Sequence, residues 1–501
     1  MDENKYLQLW TSIRRVFDET FEKYDNLWQI RDREIDSRFL ALFIFRLVIP
    51  HDNRGYSCTL REILGTFLNS GLNVSKRKFA KSSICEARHK LDPNMFIELN
   101  RKIIEKWNQY TEPPLWHGHR RLGIDGSKFT LPKNLLDDGY TKSGDHAHYP
   151  QGLVSTLYDL STGIPLDFDL VKHNNERTCA IKHMQTIQKT DVVVHDRGYF
   201  SFELLARYVQ IGAHPVFRMK RSSGYQVIEE FWDSKETDKI VLLEPPRDVL
   251  KDVRNKLLNI PVDPIKIRLI KYEVKEVTYV LGTTLLDKEK YPAEIFPDLY
   301  HSRWGIEEMI KVSKLITGVE DFHSKSEKGV KQELFAHFVL ITLQKIIESE
   351  SHKELMKDKK EKAEKPPLRR ITKSSMSDSE NLQKPKGSLS TPESEKSAAE
   401  SKANKNQKVQ QDDLGEKIVK NEIKMNQKNA FIVLGGVLEK LLFSTIDSLK
   451  SIVKYVVDAV KDVHQEIRPG RSYPRESKKP ASGWSHKGKD KKWANEQCAT
   501  A

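Results

Sequence analysis

The stretch TDVVVHDRGYFSFELLARYVQIG, residues 190–212, constrains the fold more than any other part of the chain. Val192–Val194 is a short, wholly apolar run of β-branched residues, which reads as a strand buried on both faces. It stops at once in His195, Asp196 and Gly198, and SFELLARYVQIG follows directly as a helical stretch. A buried strand feeding a helix belongs to α/β architecture and excludes an all-β or all-α reading. The flanking sequence agrees. RRLGIDGSKFTL alternates as a strand, and LVSTLYDL, Ser161-Thr162-Gly163 and IPLDFDLV form a hairpin pattern. Strands resume through VFRMK, KIVLLE, IKIRLIKYEV and VTYVLGTTLL before a helix opens near residue 300.

Around this core the composition changes. Residues 1–115 read as helical, with capping boxes at Thr59-Leu-Arg-Glu62 and Ser83-Ile-Cys-Glu86 and a basic run at Lys76-Arg77-Lys78. A helix-turn-helix and an ordinary helical bundle with a basic face fit this segment equally well. The expected division is a helical N-terminal domain at 1–115, a core in two parts at 116–216 and 286–350, and a β-rich insertion at 217–285. Between Phe338 and Phe431 no aromatic residue occurs, and Lys, Glu, Ser and Gln dominate, so 351–425 is expected to be a disordered charged linker. Helical pattern returns over 426–467, and 468–501 is a basic tail with Tyr473, Trp484 and Trp493 interleaved.

The formal charge of +13 and pI near 9.2 favour an acidic polymer as partner, with nucleic acid first. The basic tail fits a phosphate backbone. The four cysteines form no CxxC pair, which fits a reduced compartment. MDENKYLQLW has no apolar core of a signal peptide, and the apolar runs at 39–50 and 431–443 are too short or too charged to span a bilayer. A cytoplasmic, membrane-free protein is expected. His146, His148, His173 and Glu176 share no zinc-ligand spacing.

Three acids stand apart: Asp125 in LGIDGS, Asp196 in VVVHDRG, and Glu307 in YHSRWGIEEMIKVSK. An acid in or at the end of a buried strand is costly unless it is hydrogen-bonded, paired or bound to a cation. Each aspartate alone has an ordinary explanation as a turn residue. Converging at one sheet edge with a helical glutamate, they would make a hard-oxygen site suited to Mg²⁺. On a continuous helix Tyr300, Arg303, Glu307 and Lys314 fall within an arc of about 60°, with Lys311 beside them. Two i,i+4 ion pairs, Arg303–Glu307 and Glu307–Lys311, would account for the charges but not for Tyr300. Trp304 and Ile310 are expected to pack the helix against the core. Arg197 and Lys128 flank the acids.

The spacing Tyr300, Arg303, Glu307, Lys314 resembles the Y-R-E-K signature of DDE transposases, in the bacterial insertion-sequence family that includes Tn-five-like enzymes. The Asp-Gly at 125–126 and the Asp-x-Gly-Tyr at 196–199 stand in the family's order, and the resemblance covers roughly residues 80–345. It implies a ribonuclease-H-like α/β core in which Asp125, Asp196 and Glu307 are catalytic and coordinate two Mg²⁺, with Mn²⁺ able to substitute. Tyr300, Arg303, Lys311 and Lys314 would contact DNA. The reaction implied is cleavage at transposon terminal inverted repeats and strand transfer into target DNA, by a homodimer acting on paired ends. Members that pass through a DNA hairpin hold a flipped base on an aromatic residue, and Tyr279 stands at that position in place of tryptophan. A Tyr packed in a sheet is the alternative there. An inactive DNA-binding relic is the alternative for the whole chain; intact Asp125, Asp196 and Glu307 argue against decay.

Overall fold

The three valines at 192–194 are completely buried, and a nine-stranded mixed sheet is built outward from them. The computed structural model describes residues 3–28, 35–49, 55–69, 80–172, 175–315, 318–364 and 423–466. Five helices come first: α1 (Glu3–Trp28), α2 (Ser37–Val48), α3 (Tyr56–Asn69), α4 (Lys81–Lys90) and α5 (Asn94–Tyr110). The sheet begins with β1 (Arg121–Thr130), β2 (Thr141–Lys142), β3 (Pro150–Asp159) and β4 (Ile164–Val171). Then α6 (Glu176–His183), β5 (Val192–His195), α7 (Phe202–Ile211) and β6 (His214–Arg218) alternate. α8 (Gln226–Asp233), β7 (Asp238–Leu243), α9 (Arg247–Arg254), β8 (Ile265–Val274) and β9 (Val277–Thr283) follow. Next come α10 (Phe296–His301), α11 (Trp304–Leu315) and α12 (Glu327–Glu364). The last described elements are β10 (Ile423–Met425), α13 (Gln427–Phe443), α14 (Ile446–Lys461) and β11 (His464–Glu466).

The sheet order is β2-β3-β1-β5-β6-β9-β8-β7, with β4 also paired to β3. β1, β5 and β6 are parallel and central; the remaining pairings are antiparallel. The strands at 238–243, 265–274 and 277–283 therefore extend the central sheet through β9 rather than standing apart from it. α7 is held at both ends by local chemistry. Ser201 caps its start by accepting from Leu204 N–H, and Gly212 at φ +80° closes it in the left-handed conformation that glycine adopts without strain.

α12 is buried almost all round from Val330 to Ile347, its buried polar side chains Gln332, Glu333, Thr342 and Gln344 included. It packs on α2, α5, β4, α13 and α14, so helices from both ends of the chain share one core with it. The segment expected as linker starts later than residue 351, because α12 continues to Glu364. Ser351 is buried and donates to Val457 O at 3.1 Å, and Lys461 reaches Asp358 at 3.0 Å. Residues 365–422 and the basic tail from 467 lie outside the described residues, as does Lys76-Arg77-Lys78.

The two expected capping boxes do not form. α3 begins a turn earlier, at Tyr56, which places Thr59 inside the helix with its hydroxyl directed to Gly55 O at 3.4 Å. α4 begins after Ala80 without a side-chain cap. Among the described residues no helix is long and apolar enough to cross a membrane.

Candidate active site

The parallel strands set the site by register. Ile124 pairs with His195, and His195 with Phe217. One residue further on, Asp125, Asp196 and Arg218 reach the same edge together. Alternation along a strand sends neighbours to opposite faces. His195 therefore points away from the acids: it is fully buried, its Nε2 lies 2.8 Å from Tyr208 Oη, and its ring stacks on Phe217. Burial pushes its pKa down to about 3, so it is a neutral core histidine.

Residues 300–314 are not one helix. α10 ends at His301 and α11 begins at Trp304, joined by a tight turn in which Arg303 N–H donates to Tyr300 O and Ile306 N–H to Arg303 O. The Ser302 hydroxyl donates to Leu299 O at 2.6 Å, a local side-chain bond of the kind that competes with helix continuation. The break still gathers the expected side chains. Tyr300 Oη donates to Asp196 Oδ1 at 3.1 Å. Arg303 spans two acids, with Nη1 3.2 Å from Asp125 Oδ2 and Nη2 2.5 Å from Glu307 Oε1. No Glu307–Lys311 pair occurs among the described residues, and Lys311 is exposed.

The two aspartates differ in proton affinity. Burial pushes Asp125 up to about 6, against the pull of Arg303 and of the Gly126 N–H. Burial also raises Asp196, but the Arg197 N–H, Arg303, Tyr300 and Arg218 outweigh it and hold that carboxyl below its usual range. Burial, with the Asp196 charge, lifts Tyr300 to about 12.

Around the acids stand further groups. Tyr279 stacks on Tyr272 with centroids 5.3 Å apart and lies 6.2 Å from the Tyr300 ring, while the Arg218 guanidinium sits 4.4 Å from its centroid. Lys314 is not free toward solvent. It donates to Lys128 O, lies 3.7 Å from Glu320 and rests over the Phe129 ring, and burial lowers its pKa. Lys128 and Arg197 are exposed. Ile310 packs against the core, but Trp304 does not: it is 55% exposed at the start of α11.

Three neighbours of the site were not singled out for it from the sequence. Arg218 could have been found only by knowing that β6 lies beside β5 in register. Thr156 pairs with Asp125 across β1 and β3, and its buried hydroxyl has no partner among the described residues. Glu176, in the first turn of α6, follows Asn175, whose side chain accepts from Thr178 N–H. Burial raises its pKa, and the Asp196 charge adds to this. Of the histidines weighed with it, His146 and His148 are exposed and His173 lies outside the described residues.

As they stand, no three His, Cys, Asp or Glu side chains among the described residues are close enough together to hold an ion. The donors nevertheless suit a hard divalent cation. Asp125, Asp196 and Glu307 offer only carboxylate oxygens, and a positive group, the Arg303 guanidinium, already stands between two of them. Arg303 Nε and Thr156 Oγ1 are buried beside these acids without partners among the described residues, so the polar shell is open to rearrangement.

Residues 116–343 match the family model described as Transposase DDE domain. Over 236 residues the chain is 26% identical to the transposase InsG for insertion sequence element IS4 of Escherichia coli (strain K12), covering 46% of this chain and 51% of that protein. It is 26% identical over 174 residues to the transposase for insertion sequence element IS231E of Bacillus thuringiensis subsp. finitimus, covering 34% of each. The chain thus spans about half the length of the first of these relatives and a third of the second. A cryo-EM structure of the piggyBac transposase synaptic complex with hairpin DNA aligns over 74% of this chain and 83% of that one, at 12% identity and a TM-score of 0.34, a likeness that carries no structural argument.

Proposed function

We propose, from a chain whose residues 116–343 carry a transposase DDE domain, that this protein cleaves DNA at the ends of an insertion sequence and joins them to target DNA. The fold reading that goes with it is a ribonuclease-H-like core, 116–216 and 286–350, extended by the strands of 217–285. The observation that carries the proposal is the placement of Asp125 and Asp196 one residue past the last rung that pairs β1 with β5, with Arg303 linking Asp125 to Glu307 across from the sheet. Asp125, Asp196 and Glu307 would hold two Mg²⁺, or Mn²⁺ in its place. Such ions polarise a scissile phosphate and make water or a 3′-hydroxyl a competent nucleophile.

The chain's own groups do the rest. Tyr300 holds Asp196 in place through its hydroxyl. Arg303 balances the acids and can pass its guanidinium to a phosphate, for which its forked donors are suited. Lys311 and Lys314 supply positive charge along α11. Tyr279 offers an aromatic edge beside the site. Its ring already carries Tyr272 and Arg218, so base stacking there requires Arg218 to move. Paired DNA ends call for two copies of the chain.

The test is Mg²⁺-dependent cleavage of DNA bearing the inverted repeats that flank the gene. Glu307→Gln is expected to abolish it while leaving DNA binding intact. Undiminished cleavage in that variant would remove Glu307 from the metal site, and a wild type that binds DNA but cuts it with no divalent ion would make the chain a DNA-binding relic.

A further inference from the structure

Glu176 belongs to neither the Asp125–Asp196–Glu307 set nor the structural ion pairs, and its surroundings are unusual. It enters from α6, on the face of the sheet opposite α11. A Cβ on Gly126 would lie 3.3 Å from Glu176 Cγ and Oε1, and a Cβ on Gly198 would lie 3.7 Å from Glu176 Oε2. Gly126 directly follows Asp125, and Gly198 is two residues past Asp196. The two glycines, one after Asp125 and one two residues after Asp196, border the same carboxylate.

β1 runs on beyond its pairing with β5, which ends at Ile124–His195. Past that point the two strands are no longer paired, and the Glu176 carboxylate lies beside both, Oε1 toward Gly126 and Oε2 toward Gly198. No ion pair or hydrogen bond of that carboxylate occurs among the described residues. Among the described residues, the cation that bears on it electrostatically is the exposed Lys128. A half-buried acid without a close partner, near two other acids, is costly unless a cation is shared. Thr156, on the same rung as Asp125, adds a buried hydroxyl with no partner among the described residues.

We propose that Glu176 is a fourth carboxylate of the divalent-cation site, binding from the α6 side of the sheet beside Gly126 and Gly198. The inference rests on the reading of Asp125, Asp196 and Glu307 as ligands. Glu176 supplies a donor from the opposite side to Glu307, so that the strand-borne aspartates are approached from both faces. A Cβ at Gly126 would press on the Glu176 side chain, whereas one at Gly198 would only touch it.

The experiment is Mn²⁺ binding to the full-length protein without DNA, measured by calorimetry and by the electron spin resonance of free Mn²⁺, with melting in EDTA as the folding control. Glu176→Gln is expected to weaken binding about tenfold with unchanged melting in EDTA, and Asp125→Asn to remove it. Glu176→Asp keeps the charge on a shorter arm and is expected to fall between wild type and Gln. Should the Gln variant melt lower in EDTA, the Asp variant decides the same question. Wild-type affinity in the Glu176 variants, with binding lost in Asp125→Asn, overturns the fourth ligand and leaves the three-acid reading standing. Wild-type affinity in Asp125→Asn overturns both.

Discussion

Arg88 and Arg303 both face acids, and they are finished differently. Arg88 on α4 meets α12: Nη2 lies 2.9 Å from Glu333 Oε1 and 3.1 Å from Gly329 O, Nε 3.1 Å from Gln332 Oε1, and Nη1 donates to Tyr56 Oη. Glu333 in turn accepts from the backbone N–H groups of His323 and Ser324. Arg303 also spans two acids, but its Nε is buried without a partner, and Asp125 retains its proton up to about pH 6. Every guanidinium nitrogen of Arg88 has a partner, and they fix α4 to α12. Arg303 keeps one nitrogen without a partner among the described residues, which suits the proposed exchange of its acids for a cation and a phosphate.

If that contrast is right, charge removal has opposite consequences in the two places. Glu307→Gln should lower DNA cleavage on the order of a thousand-fold, several kcal/mol of transition-state stabilisation, with little change in urea unfolding. Glu333→Ala should do the reverse. It strands Arg88 in the core and is expected to cost about 3–5 kcal/mol in urea unfolding, the usual penalty for breaking a buried pair from one side. Activity per folded molecule should be retained. Equal stability losses in the two variants would erase the distinction.

The pH dependence of stability sharpens it. Asp125 binds its proton more tightly folded than unfolded, so its ionised form weighs against the fold above about pH 6, and this cost fades as the pH falls toward 4. In EDTA, Asp125→Asn should therefore be at least as stable as wild type at pH 7.5 and converge with it near pH 4. For Glu333 burial raises the pKa, but hydrogen bonding from His323 and the charge of Arg88 outweigh it, so the folded value is depressed. Its contribution is present at neutral pH and is lost as the pH falls below the ordinary 4.5. The deficit of Glu333→Gln should then shrink on acidification, opposite to the trend for Asp125→Asn. Urea titrations from about pH 8 down to about pH 2 measure both.

The smallest effect is expected at Lys311, exposed on α11. Lys311→Ala should weaken DNA binding uniformly across sequences and reduce the salt slope by about one phosphate contact. A loss confined to one sequence would make it a base reader instead.

Much of the core was legible because its signals are local. The triple valine, the hairpin over 150–159 and 164–171 and the helix after Ser201 depend on neighbours in the chain. The position of Asp196 just past the end of β5 was legible too, since it closes an apolar run, whereas Asp125 lies in the middle of β1, which runs on to Thr130. What the sequence did not reveal depends on pairing between distant segments. Arg218 and Thr156 join the rung only through strand register, and Glu176 only through its approach to both strands. The break at Ser302-Arg303 was missed because apolar and charged residues keep helical spacing across it, while one hydroxyl bond decides the turn. Trp304 was expected inside on hydrophobicity alone, yet the break turns it outward. The start of α3 before Thr59 shows the same limit: a capping pattern names a possible start, and packing against α2 selects another.

The packing of Leu355 against Ile423 and Met425 has a consequence for how this chain tolerates change in length. The chain leaves α12 at Glu364, nine residues and roughly 14 Å of helix beyond Leu355, and re-enters at β10 beside that same Leu355. Its two ends are thus fixed a short distance apart, whatever lies between. Insertions or deletions between those two anchors therefore leave the Leu355 contact itself unchanged.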